Sequence, residues 1–288
     1  MSEINNQPTY KRQRFLLAFI RQLQSGVTST DLQKLVFLHT MKEGSDIYEF
    51  IPYKFGSYSF QLAEDVDILC RDSYLSNDGA RIQAIGDYQS ETLFSIATER
   101  GNNLIRKAYR EYPYYAINSK IADRLFSDDE AEKYKNERLC YAQTSQVLFT
   151  IGYEGKSIEA FINTLIRNDI RLLCDVRKNP LSRKFGFSKG KLEHITETVG
   201  IKYAHIPDLG IESDMRCSLN TTEDYQRLFK GYAKTLPSLG LQLEYLYSLL
   251  QANVRVALMC FEKVPEMCHR HVIRDYLSNI HTIRSVDL

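Results

Sequence analysis

From residue 147 onward the chain alternates short apolar runs with stretches of helical periodicity, and no other feature constrains its fold as much. Residues 146–153 form a nearly continuous apolar run that ends in glycine, as buried parallel strands do. Ser157 then stands as a cap before a helix with Ile158, Phe161, Ile162, Leu165 and Ile166 on one side. Residues 170–177, 201–206 and 254–260 read as three further strands. Helices are expected between and after them over 190–198, 236–251 and 268–277. Strand–helix alternation implies an α/β domain with a mainly parallel sheet and right-handed crossovers.

Sheets of that kind hold ligands beyond the carboxyl ends of their strands, and the polar residues gather there. Gly152, Tyr153 and Glu154 follow the first strand. Asp175, Arg177, Ser182 and Arg183 follow the second, His205 and Asp208 the third, and Cys260 and Glu262 the fourth. One crevice built from four distant segments is therefore expected.

The residues that predict this crevice also carry a family resemblance. The segments TIGYEGKSIEAFINTL, LLCDVRKNPLSRKFGFSKGKL, GIKYAHIPDLG and VALMCFEKVPEMCHRHVI occur in order across 147–277. They resemble four successive motifs of the domain-of-unknown-function family numbered 488. That resemblance implies motif positions at Gly152, Tyr153, Asp175, Arg177, Pro180, Ser182, Cys260, Glu262, Cys268, His269 and Arg270. It implies no particular reaction. Residues 208–222 depart from the family's commoner glycine-rich continuation, and this loop is expected to bear on substrate choice.

Several chemistries are open at the crevice. Cys268, His269 and Arg270 begin the last helix, whose N-terminus suits an anion. Arg177, Arg183 and Arg270 would add bidentate phosphate or carboxylate recognition, unless Arg177 or Arg270 pairs internally with Asp175 or Glu262. Glu262 with His269 or Asp175 would supply acid–base chemistry, unless Glu262 only fixes its loop. Cys260 or Cys268 would act as a nucleophile in rhodanese-like sulfur or phosphoryl transfer, unless they are inert buried thiols. A zinc site on Cys260, Cys268 and His269 would need a fourth ligand such as His205, and no spacing demands one, so no metal or other cofactor is expected. Lys184, Lys189 and Lys191 interleave with Phe185 and Phe187 near Tyr153 and Tyr203, either as a base-stacking surface or as a solvated face.

The first half reads differently. Residues 13–23, a segment capped at 28–31 and residues 60–70 have helical spacing, with an aromatic–glycine turn before the third and a strand and turn at 74–79. That is the order of a winged-helix-like module. LQKLVFL at 32–38 and YKFGSYS at 53–59 resemble patterns of small bacterial helical modules such as the Panacea-type antitoxin domain. Ser57 stands where that pattern usually has proline. Tyr53, Phe55, Tyr58 and Phe60 would face a DNA or protein partner, or else build a small core. Domains are expected at 1–98 and 146–288, joined over 99–145 by a polar helical linker that Pro113 interrupts.

Composition narrows the function classes. Net charge is +1, with 18 basic and 20 acidic side chains in residues 1–140 and 19 and 16 in the remainder, so nucleic-acid contact must come from a local patch. The six cysteines include no CxxC pair, and no apolar run approaches the roughly 20 residues of a membrane span. The polar N-terminus lacks a secretory layout, so a cytoplasmic protein without membrane partners is expected. The expected function is nucleotide or nucleic-acid processing by a hydrolase or base-processing enzyme. The alternatives are a non-catalytic nucleotide or DNA sensor and the cysteine chemistry above. By analogy alone, a sensing module fused to such a domain suits bacterial defence.

Overall fold

A computed structural model describes residues 7–86, 92–212, 215 and 219–288. Cys217, the N-terminal residues 1–6 and part of the 208–222 loop lie outside the described residues. The chain divides into two compact units, Met1–Cys140 and Tyr141–Leu288.

In the first unit, α1 (Lys11–Gln22) and α2 (Ser29–Glu43) precede a hairpin of β1 (Ile51–Tyr53) and β2 (Gly56–Tyr58). Next come α3 (Phe60–Arg71) and a second hairpin, β3 (Leu75–Asn77) with β4 (Ile82–Ala84), whose Ile82 bridges back to Val27. The unit thus opens with three helices and two short hairpins, one before and one after α3. Thr28 and Ser59 cap α2 and α3 by accepting the backbone N–H of Asp31 and Leu62. Gln33 brackets the Ser59 backbone from both sides, and the Lys34 ammonium donates to the Ser57 carbonyl at 2.6 Å. Tyr53, Tyr58 and Phe60 pack on one another with ring centroids 4.8–5.6 Å apart, while Phe55 is exposed.

The linker expected over 99–145 is corrected here. α4 (Gly101–Glu111), α5 (Ala122–Leu125) and α6 (Asp128–Leu139) bury Leu104, Ile105, Tyr109, Leu125 and Tyr134 in the same core as Leu16 and Leu35. Gly56 adopts φ +90°, and a Cβ there would meet the Tyr109 ring at 2.3 Å. The segment's many charges occupy only its outer faces, so a polar composition concealed an apolar stripe that belongs to the core.

In the second unit five parallel strands are ordered β7–β6–β8–β5–β9. They are β5 (Val147–Gly152), β6 (Leu172–Asp175), β7 (Lys202–His205), β8 (Arg255–Cys260) and β9 (Ser285–Asp287). Helices α7 (Ile158–Arg167) and α8 (Lys189–Thr198) follow β5 and β6. α9 (Thr222–Thr235) and α10 (Gly240–Asn253) precede β8, and α11 (Arg270–His281) precedes β9. One sheet face, with Leu148, Leu172, Cys174, Val256 and Leu258, shares a core with Phe229, Leu246 and Ile273 of α9, α10 and α11. Phe149, Ile151, Leu173, Ala257 and Met259 alternate to the other face, the side of α7 and α8. The expected helix over 236–251 is preceded by a separate α9, and β9 was not foreseen. Among the described residues no helix is long and apolar enough to cross a membrane.

Candidate functional site

The chain leaves β6 outward for β7 and leaves β8 the opposite way for β9. The adjacent ends of β6 and β8 are therefore the topological switch point, where open α/β sheets form their crevice. A cavity of about 250 Å³ lies there, lined by Tyr153, Arg177, Lys178, Asn179, Leu181, Ile211, Cys260 and Phe261.

Two groups of polar residues meet at this point from opposite sheet faces. On the α7–α8 side the buried Asp175 carboxylate accepts from Arg177 Nε at 2.9 Å and Nη2 at 2.6 Å, and from the Tyr203 hydroxyl at 2.8 Å. Arg177 Nη1 donates to the Tyr153 hydroxyl at 3.1 Å and the Phe187 carbonyl at 3.0 Å. Burial opposes the guanidinium charge, but the hydrogen bonds and charge of Asp175 outweigh it and raise the Arg177 pKa. Burial first, and the Asp175 charge second, raise that of the Tyr203 hydroxyl. Arg177 thus takes the internal pairing, and its donors are directed into the protein rather than at an anion. His205 Nε2 lies 2.9 Å from the Arg177 carbonyl and holds the same turn.

On the α11 side the Cys260 thiol lies 3.5 Å from Glu262 Oε2 and 3.7 Å from His269 Nδ1, and Cys268 Sγ lies 3.8 Å from the same nitrogen. His269 Nε2 is 3.0 Å from the Val176 carbonyl. A carbonyl only accepts, so Nε2 donates to it, and the other ring nitrogen, Nδ1, faces the two thiols. Burial, then Cys260 and Glu262, push the Cys268 thiol well above its ordinary pKa.

Arg270 is engaged inside the protein, by backbone carbonyls and a hydroxyl. Its guanidinium is fully buried and donates to the carbonyls of Glu262 at 2.6 Å and Lys263 at 3.1 Å, and to Thr150 Oγ1 at 3.2 Å. These bonds tie the start of α11 to the loop after β8. The loop is also seated against Gly152, where a Cβ would stand 1.8 Å from the Glu262 carbonyl oxygen. Glu154 accepts from the Lys263 backbone N–H at 2.9 Å, closing the same contact.

The remaining expected site residues lie on the 176–188 turn. Ser182 Oγ accepts from the Lys184 backbone at 3.1 Å and orders the turn, and Arg183 is exposed. Phe187 is fully buried, stacked on Tyr153 at 4.3 Å, so it is core rather than a base platform. Burial lowers the Lys184 pKa, and its ammonium donates to the Tyr153 carbonyl at 3.3 Å. Lys178, Asn179 and Phe261 line the cavity although none was singled out from sequence. Each directly adjoins a motif residue that was, and that adjacency was the available signal.

A doubly wound α/β unit with its polar groups gathered at the switch point is the class that fold and site define. Residues 157–277, within the C-terminal unit, match the family model described as Domain of unknown function DUF488. No curated protein and no solved structure matches the chain.

Proposed function

We propose that the C-terminal unit is a hydrolytic enzyme acting on a nucleobase or nucleotide, with Glu262 as its general base. The observation that carries this proposal is the cavity at the β6–β8 switch point. It combines the rings of Tyr153 and Phe261, the Asn179 amide and the aliphatic Leu181 and Ile211. Its volume of about 250 Å³ lies at the small end of ligand sites and suits a planar ring better than an extended chain. Aromatic and amide groups read such a ring by stacking and by hydrogen bonds to its edge. Phosphate attached to it would be met by Lys178 and Arg183, since Arg177 and Arg270 are engaged internally. Lys178 is presently paired with Glu212 at 2.8 Å on the surface, an inexpensive contact to exchange.

Glu262 is half-buried beside Cys260, which lines the cavity, and in this reading it takes a proton from water there. The raised Cys268 pKa weighs against a thiolate nucleophile at that position. In turnover assays on a panel of nucleosides and nucleotides, Glu262→Gln should retain binding and lose about 100-fold or more in rate. Unchanged turnover would remove Glu262 from the mechanism. Binding without turnover by the unaltered chain would replace the enzyme with a sensor.

A further inference from the structure

Cys260, Cys268 and His269 place two sulfurs and one imidazole nitrogen within 4.8 Å of one another. All three residues are at most 1% exposed. We infer that they form a binding site for a thiophilic divalent cation of the zinc class, with the fourth coordination position left open. Two thiolates and an imidazole are the donor set that zinc prefers over calcium or magnesium. A tetrahedral zinc with bonds of about 2.3 Å to sulfur and about 2.0 Å to nitrogen spaces its ligand atoms about 3.5–3.8 Å apart. The observed sulfur-to-nitrogen separations, 3.7 and 3.8 Å, match that spacing before any ion enters.

The surroundings of the imidazole support the site independently. Metal-bound histidines almost always donate their second ring N–H to a carbonyl or carboxylate. His269 does so to Val176, on the neighbouring strand end, and its ring meets Tyr232 edge-on at 5.8 Å. Nδ1 is thereby held toward the two sulfurs. Binding would release both thiol protons to solvent, and the two thiolates would neutralise the ion. His205, the fourth ligand weighed from sequence, is held at the Arg177 carbonyl instead.

Three protein ligands and an open position distinguish catalytic from structural zinc. Cys260 lines the cavity, so water in the fourth position would have the Glu262 carboxylate alongside. That water's role rests on the hydrolase proposal; the cation site stands on the cluster alone.

The test uses the full chain, reduced and stripped of metal, then titrated with Zn2+ or Co2+. One metal per chain is expected by elemental analysis, and Co2+ should develop a thiolate charge-transfer band with tetrahedral d–d bands. Zn2+ should protect Cys260 and Cys268, but not Cys70 or Cys140, from alkylation mapped by mass spectrometry. Cys260→Ser and Cys268→Ser should each weaken binding about 100-fold or more, whereas Cys174→Ser should not. Absence of the thiolate band in the unaltered chain overturns the inference without recourse to variants. So does binding that survives in the Cys260→Ser/Cys268→Ser double variant. One metal per chain in an inactive protein keeps the site and sinks the hydrolase; turnover by the metal-free chain removes the metal from the chemistry.

Discussion

A Cβ on Gly152 would overlap the Glu262 carbonyl oxygen, so the loop carrying Glu262 can sit where it does only above a glycine. Gly152→Ala should destabilise the C-terminal unit by about 1–3 kcal/mol and displace Glu262, read by denaturant unfolding alongside nucleotide binding. The Asp175–Arg177 pair makes a second demand at this scale. Asp175→Ala leaves a buried guanidinium without its partner and should cost about 3–5 kcal/mol in the same unfolding measurement. Lys34 in the N-terminal unit sets a pH dependence. Burial, only partly opposed by Asp31, lowers its pKa from 10.5 to about 7. The unfolded chain keeps that proton up to 10.5 and the native chain only below about 7, so stability should rise with pH between those values. Circular dichroism melts from pH 7 to 9 should show the rise in the unaltered chain and a flatter profile in Lys34→Met. Equal slopes would contradict a buried, depressed lysine.

At the scale of elements, short-range chemistry left clear marks in the sequence. Ser157 precedes a helix with one apolar face, and its hydroxyl accepts the Ala160 N–H at 2.9 Å. Ser157→Ala should cost about 1 kcal/mol in unfolding free energy. Strands β5, β6, β7 and β8 were legible because strand spacing and flanking turns are local properties. The three-residue strands β1, β2 and β9 were not, since so short a run carries no periodicity. Arg177 was foreseen as a paired or an anion-binding residue, and proximity in sequence could not choose between them. Burial with Asp175 did.

For the molecule as a whole, the assignment of 99–145 to a linker shows the limit of composition as a guide. Those residues are charged on average, yet Tyr109 fills the space that Gly56 leaves open. The change of unit falls after α6, where residues 142–146 are exposed. Limited trypsin digestion should cut early after Arg138, leaving two resistant fragments identifiable by mass. Rapid loss of the N-terminal fragment would contradict a core shared by α1 to α6.

What the sequence by itself determined is the strand–helix alternation, the location of the crevice at the strand ends and the family likeness of residues 157–277. These follow from side-chain periodicity and residue order, which are written along the chain. What only the tertiary structure decided is which groups are spent and which remain for chemistry. Arg270 is satisfied by backbone carbonyls of Glu262 and Lys263, acceptors that every residue possesses and no sequence distinguishes. His269 likewise depends on the Val176 carbonyl, 93 residues away in the chain, to turn its Nδ1 toward two cysteines.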